Sequence, residues 1–168
     1  VYTEFDRISE PQNQPEVLDA TGCIVAPGFI DIHIHGANGT DFCDSTREAH
    51  ANIARYLASV GVTSYLGTTM AMQKPVLLNM VRSANEFMDN PVENGAVMRG
   101  INLEGPFAAV EKKGAMDPNN LIDPDYDLFV ELNEASGGRI RLNDVAPEKP
   151  GALDLIERTS EVCVVSLH

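Results

Sequence analysis

The residues best suited to chemistry lie in Pro27-Gly28-Phe29-Ile30-Asp31-Ile32-His33-Ile34-His35-Gly36. As a strand with period two, this stretch places Phe29, Asp31, His33 and His35 on one face and Ile30, Ile32 and Ile34 on the other. Two imidazoles at i, i+2 near the C-terminal end of one rigid strand can grip a single divalent ion. The competing reading is a pair of core histidines satisfied by hydrogen bonds; the surrounding proline and glycines favour the metal. An apolar face opposite the histidines predicts a parallel strand buried on both sides.

Glu104 closes a second chemically loaded segment, Ile101-Asn102-Leu103-Glu104-Gly105-Pro106-Phe107. Asn102 and Glu104 share a strand face, and Gly105-Pro106 turns the backbone immediately afterwards. A carboxylate there is a candidate third ligand, with an ion pair to Lys112 or Lys113 as the alternative. His168 follows Val162-Cys163-Val164-Val165-Ser166-Leu167 and so also sits at a strand end. It is a candidate fourth ligand; taken alone it would be a tail residue. His50 falls on a helix and reads as solvated or internally satisfied, with no role. Asp144 and Glu148 flank another strand end, where either could orient a metal-bound histidine or simply cap the strand. Thr68-Thr69-Met70 offers hydroxyls to the same level, with an ordinary structural role preferred. The loop Glu111-Lys112-Lys113-Gly114-Ala115-Met116 could cover a substrate, although paired lysines are usually solvated surface.

The elements that must position these residues alternate in type. Ser45-Thr46-Arg47-Glu48 has capping-box form and opens a helix carrying Ile53, Ala54, Leu57 and Val60, which Gly61 stops. A strand over 62–70 follows, then a helix from Pro75 to about Met88, ending before Asn90-Pro91. The spacing predicts a strand over 97–104 and a helix capped by Asp123-Pro124 that runs to Ala135. A strand over 139–145, a helix over 151–158 and a strand over 162–167 complete the series. Counted from the histidine strand, the order is β-α-β-α-β-α-β-α-β, which calls for a parallel sheet with right-handed crossovers. The first βα turn lacks the glycine pattern of a nucleotide-binding open sheet. Polar groups gather instead at the C-terminal ends of several strands, as in a (β/α)₈ barrel. The fold class expected is α/β: residues 27–168 form the first five strands of a partial TIM-type barrel, preceded by residues 1–26 as a piece of a small β-sandwich domain.

Length agrees with a partial barrel, since 168 residues fall short of the roughly 250 a complete one needs. The opening Val1-Tyr2-Thr3-Glu4 reads as the interior of a domain. A formal net charge of −13 argues against a general nucleic-acid or anionic-membrane surface while leaving room for a local anion pocket. No apolar run reaches transmembrane length and no leader pattern opens the chain. Cys23, Cys43 and Cys163 are odd in number and widely spaced. They fit a reducing cytoplasm, and neither a disulfide framework nor a thiolate zinc site. Cys43 reads as a small buried apolar residue.

Through the His33–His35 stretch the sequence resembles the amidohydrolase superfamily. More narrowly, it resembles the N-acetylglucosamine-6-phosphate deacetylase family. That closer likeness rests on Tyr65-Leu66-Gly67-Thr68-Thr69, Asn102-Leu103-Glu104-Gly105-Pro106-Phe107, Lys112-Lys113-Gly114-Ala115, and Val145-Ala146-Pro147-Glu148 with Pro150-Gly151-Ala152. The resemblance implies Glu104 as the principal metal ligand, His33 and His35 as a pair able to hold a second ion, and His168 as the fifth-strand histidine. It also implies Ala115 as a position whose backbone contacts the sugar. One departure stands out: the family's Ser-x-Gly-His is here Ser166-Leu167-His168. By the same resemblance, the catalytic aspartate, a further metal histidine and the phosphate-binding residues lie beyond position 168, so no catalytic residue is expected within the chain. The implied cofactor is one or two divalent ions, zinc first, with iron, manganese or others compatible. The implied partner is a phosphorylated amino sugar, in a cytoplasmic parent that is a homodimer or homotetramer. Alternatives are another amidohydrolase acting on a cyclic amide or other N-acetyl amino sugar, and a non-catalytic metal-binding remnant.

Overall fold

The computed structural model describes residues 19–168. Most of the expected sandwich piece lies outside these. In the described part of it, Thr21-Gly22 makes a turn, closed by Cys23 N donating to the Ala20 carbonyl at 2.9 Å. No strand follows over residues 23–28.

Five parallel strands build the sheet: β1 (Phe29–Ile34), β2 (Val62–Thr68), β3 (Val97–Leu103), β4 (Ile140–Val145) and β5 (Val164–Leu167). They are hydrogen-bonded in the order of the chain, each to its sequence successor, and every pairing is parallel. A doubly wound sheet reverses its strand order at a switch point; this one does not. With right-handed crossovers throughout, all helices fall on one side and the sheet curls as a barrel wall. The expected partial barrel is therefore present.

The helical layer comprises α1 (Arg47–Ser59), α2 (Lys74–Asp89), α3 (Tyr126–Ala135) and α4 (Ala152–Ser160). Their apolar stripes, among them Ile53, Leu57, Leu77, Met80, Phe87, Phe129, Leu132 and Leu155, pack on Tyr65, Met98, Ile101, Leu103, Ile140 and Val145 of the sheet. Each of these large side chains contributes roughly 1.5–3 kcal/mol by leaving water. Period two then sends Asn102 and Glu104 to the opposite, concave side.

Several local expectations shift by a residue or two. Thr46, not Ser45, caps α1, its hydroxyl accepting from Ala49 N at 3.1 Å. Ser45 instead ends a short 3₁₀ turn over Phe42–Asp44. Helix α3 starts after Asp125, whose carboxylate accepts from Leu128 N at 3.0 Å, so Asp123-Pro124 lies two residues too early. Asp123 lies outside the helix, largely exposed and 3.4 Å from Lys149 Nζ. Strand β2 stops at Thr68, because Thr69 turns to bond the next strand's rim.

The largest correction concerns β1. Ile30 is 71% exposed and Ile32 55%, so the strand is not buried on both sides. β1 pairs only with β2 among the described residues, and no helix covers its apolar face there. β5 mirrors it at the other edge, with Val164 and Leu167 exposed.

His50 resolves in favour of the satisfied reading. It is fully buried, its ring between Phe42 and Phe87 at centroid distances of 5.1 and 5.5 Å, with Nε2 2.9 Å from Ser83 Oγ. Burial pushes its pKa down to about 4. The unfolded chain then takes up a proton near pH 6.5 that the folded chain refuses until about 4, so stability is lost as pH falls through that window. Wild type should lose about 3 kcal/mol more than His50→Gln between neutral pH and pH 4, read from urea midpoints. Gly67 supplies a second test. A Cβ there would stand 2.1 Å from the Phe42 ring, so Gly67→Ala should destabilise by roughly 1–3 kcal/mol in the same assay.

Candidate metal centre

Three segments distant in sequence meet at the C-terminal mouth of the curled sheet. β1 delivers His33 and, just past its end, His35; β3 delivers Glu104; β5 delivers His168. His33 Nε2 and His35 Nε2 each lie 2.8 Å from Glu104 Oε2 and 3.3 Å from one another. His168 Nε2 approaches the other oxygen, Oε1, at 3.5 Å. Among the described residues, His33, His35 and Glu104 form the one group of three whose ligand atoms are close enough to share a metal ion. All four sequence candidates are thus neighbours, with His168 on the far side of the carboxylate. The alternative pairing of Glu104 with the loop lysines is absent: Lys113 donates to the Met116 carbonyl at 2.9 Å.

The mouth is held by backbone bonds from buried threonines. Ile34 N donates to Thr68 Oγ1 at 3.0 Å, fixing β1 just before His35. Thr69 N donates to the Asn102 carbonyl at 3.0 Å, and Thr69 Oγ1 donates to the Glu104 carbonyl at 3.2 Å. The threonine hydroxyls therefore serve the scaffold, as the structural reading held. His168 N donates to the Val145 carbonyl at 3.0 Å, which sets the height of that histidine. After His35 a small antiparallel ribbon, Gly36–Ala37 with Thr40–Asp41, turns the chain back. Its backbone forbids a side chain at position 36, where a Cβ would sit 2.3 Å from the Thr40 carbonyl oxygen. Asp41 caps the following 3₁₀ turn by accepting from Cys43 N, and Asp44 reaches back to Asp41 N at 2.9 Å. This brace was not anticipated; the signal was an Asp three residues before another Asp, a capping-box pattern.

The electrostatics follow from burial. Glu104 is 7% exposed, and desolvation pushes its carboxyl up, but the imidazoles of His35 and His33 outweigh that and the net shift is downward. The same contact raises His35, against the opposing effect of its own burial. Glu104 Oε2 has no aligned hydrogen bond even though two nitrogens stand at 2.8 Å. Asp144 is buried on β4, with Oδ2 unpartnered and its carboxyl pushed up by desolvation and, less strongly, by the Glu104 charge. Glu148 is exposed and makes no such approach. Asn102 Nδ2 stands 3.5 Å from both His33 Nδ1 and the Ile32 carbonyl. Ala115 occupies an exposed turn in the loop after Glu104. Cys43 and Cys163 are half-buried thiols pushed up to about 12 and about 11, chiefly by burial, so neither offers a thiolate at neutral pH.

A chain-ordered parallel sheet, with imidazoles and a carboxylate converging at its C-terminal mouth, defines a partial barrel of the kind that carries enzyme active sites at that face. No protein-family model matches the chain. The human N-acetylglucosamine-6-phosphate deacetylase is 35% identical over 160 residues, covering 91% of this chain and 39% of the relative. The Bacillus subtilis enzyme of that name is 29% identical over 163 residues, covering 96% and 41%. Among solved structures, the Mycobacterium smegmatis N-acetyl-D-glucosamine-6-phosphate deacetylase superposes with a TM-score of 0.78 at 27% identity, covering 84% of this chain and 36% of that one. The Pasteurella multocida enzyme gives 0.77 at 26% identity, covering 94% and 40%. The chain is a homologue of the N-acetylglucosamine-6-phosphate deacetylases, as its motifs indicated, and spans about two fifths of the length of these relatives. No described helix is long and apolar enough to cross a membrane.

The Glu104 carboxylate is the main group raising His35, so Glu104→Gln should lower the His35 pKa, leaving burial opposed only by the Thr68 backbone and the Asp41 charge. An NMR titration of the imidazole proton in metal-free protein reads this directly.

Proposed function

We propose that this chain forms the metal-holding part of a deacetylase that removes the acetyl group from N-acetylglucosamine 6-phosphate, giving glucosamine 6-phosphate and acetate. The observation that carries the reading is the triangle of His33 Nε2, His35 Nε2 and Glu104 Oε2, with edges of 2.8, 2.8 and 3.3 Å. Ligand atoms about 2.0–2.2 Å from a small divalent ion stand roughly 3–3.4 Å apart, so the triangle is close to the size such an ion requires. The lack of an aligned hydrogen bond on the buried Oε2 supports the same fit, since a cation at this point would satisfy it.

A divalent ion held there supplies Lewis acidity, polarising an amide carbonyl and lowering the pKa of a water. Two nitrogens and a carboxylate suit zinc first and are compatible with iron or manganese. His33 and His35 grip Oε2 of Glu104 while His168 faces Oε1, so one carboxylate serves both sides and accommodates one ion or two. Asp144, buried on β4 with Oδ2 unpartnered, is the candidate to orient an imidazole once an ion is held. Ala115 offers backbone to the sugar from the loop beyond Glu104. None of these residues is assigned the proton transfers of amide hydrolysis, so the 168 residues hold the ion and do not turn over substrate alone. The parent in this reading is cytoplasmic and homo-oligomeric.

Zinc titration of metal-stripped protein tests the centre. Wild type should bind stoichiometrically, and Glu104→Gln and His35→Ala should each weaken binding at least about tenfold. Equal uptake by all three would remove the basis of the reading. Substrate choice is a separate matter, since an Escherichia coli relative named N-acetylgalactosamine-6-phosphate deacetylase is 29% identical over 82% of this chain. Acetate release by the full-length protein should favour N-acetylglucosamine 6-phosphate over the galacto epimer; the reverse preference would assign it to that second activity.

A further inference from the structure

Two pockets share no lining residue with the cluster of His33, His35 and Glu104. The larger, of about 460 Å³, opens on the outer helical layer between the start of α1 and the length of α2. Its wall presents donors: Arg47, Arg82, Ser83 and the Asn79 amide, with Glu86 as its sole carboxylate. Arg47 is fixed by donating Nη1 to the Asn90 carbonyl at 2.7 Å, with its guanidinium 5.9 Å from the Phe87 ring centroid. The arginine ion pairs among the described residues belong to Arg139 and Arg158, so neither groove arginine is neutralised. Arg82 does not even close on Glu86, one turn along its own helix.

The floor of the groove adds a directed donor. His50 is completely buried, with Nε2 on Ser83 Oγ at 2.9 Å and Nδ1 without a partner. A buried N–H left unpaired is rarer than a bare acceptor atom, so the ring proton belongs on Nε2 and Ser83 Oγ accepts it. The Ser83 hydroxyl proton then has no acceptor among the described residues and is free for the groove. Two unneutralised guanidinium groups and a hydroxyl whose oxygen is already engaged call for an acceptor-rich ligand.

We propose that this groove binds the phosphoryl group of a small molecule, at a site whose lining shares no residue with the metal centre. Its volume falls in the range of small-molecule sites and suits a sugar phosphate. The assignment does not rest on the deacetylase reading.

Metal-stripped full chain, labelled with ¹⁵N, would be titrated with inorganic phosphate, glucose 6-phosphate and glucose. The phosphate compounds should give saturable amide shifts confined to residues 45–47 and 79–90, and glucose none. Tighter binding of glucose 6-phosphate than of phosphate assigns the site to sugar phosphates, and equal binding to the phosphoryl group alone. Arg82 is exposed, so Arg82→Gln should leave the core intact and weaken binding by about tenfold. Ser83→Ala, the second variant, should weaken it by a smaller factor. Absence of saturable shifts, shifts centred on His33 and His35, or binding unchanged in both variants would overturn the proposal.

Discussion

A carboxylate taken nine-tenths out of water is expensive unless positive charge or strong donors meet it. Glu104 is in that position, and everything at the mouth of the sheet is arranged around its two oxygens. His33 and His35 address one and His168 the other, while the resulting field depresses the Glu104 pKa and raises that of His35. The three segments that supply these groups share no local sequence. Only the curl of the sheet makes them neighbours.

The scaffold that holds this arrangement is mostly backbone. Two buried threonines at the end of β2 bond to the histidine strand on one side and to the glutamate strand on the other. Behind them the apolar layer of Leu103, Ile101, Phe87 and Leu77 fixes the pitch of the strands. The ribbon after His35 completes the frame with an aspartate pair and, directly after it, the buried ring of Phe42. Hydrogen bonds thus brace the mouth around His35 and Glu104, while Ala115 in the following loop is exposed.

Much of this was legible in the residues themselves. Alternation of apolar runs with capped helical stretches marked five strands and four helices, and chain-ordered parallel pairing followed from it. The His-x-His spacing, the strand-end glutamate and the terminal histidine pointed to groups that do lie together, because strand period and barrel topology place them at one level. The misses have physical causes. Strand β1 looks like a doubly buried strand by composition, but burial depends on neighbours that sequence patterning does not supply. Asp123-Pro124 has the form of a cap, yet Asp125, two residues on, carries the same side chain and does the capping. The outer groove was invisible because it joins Arg47 to Arg82 across two helices, a pairing that no local spacing announces.

The strict succession of strands has a consequence for how the molecule is made. Each new strand docks on the one synthesised just before it, after a single helical excursion, so the sheet can lengthen stepwise as chain leaves the ribosome. The imidazoles of β1 are in place first and the carboxylate of β3 reaches them two strands later. His168 arrives last of all. Until Glu104 docks, the paired rings have no anion to face, so the birth of the centre is timed by the third strand rather than by the first.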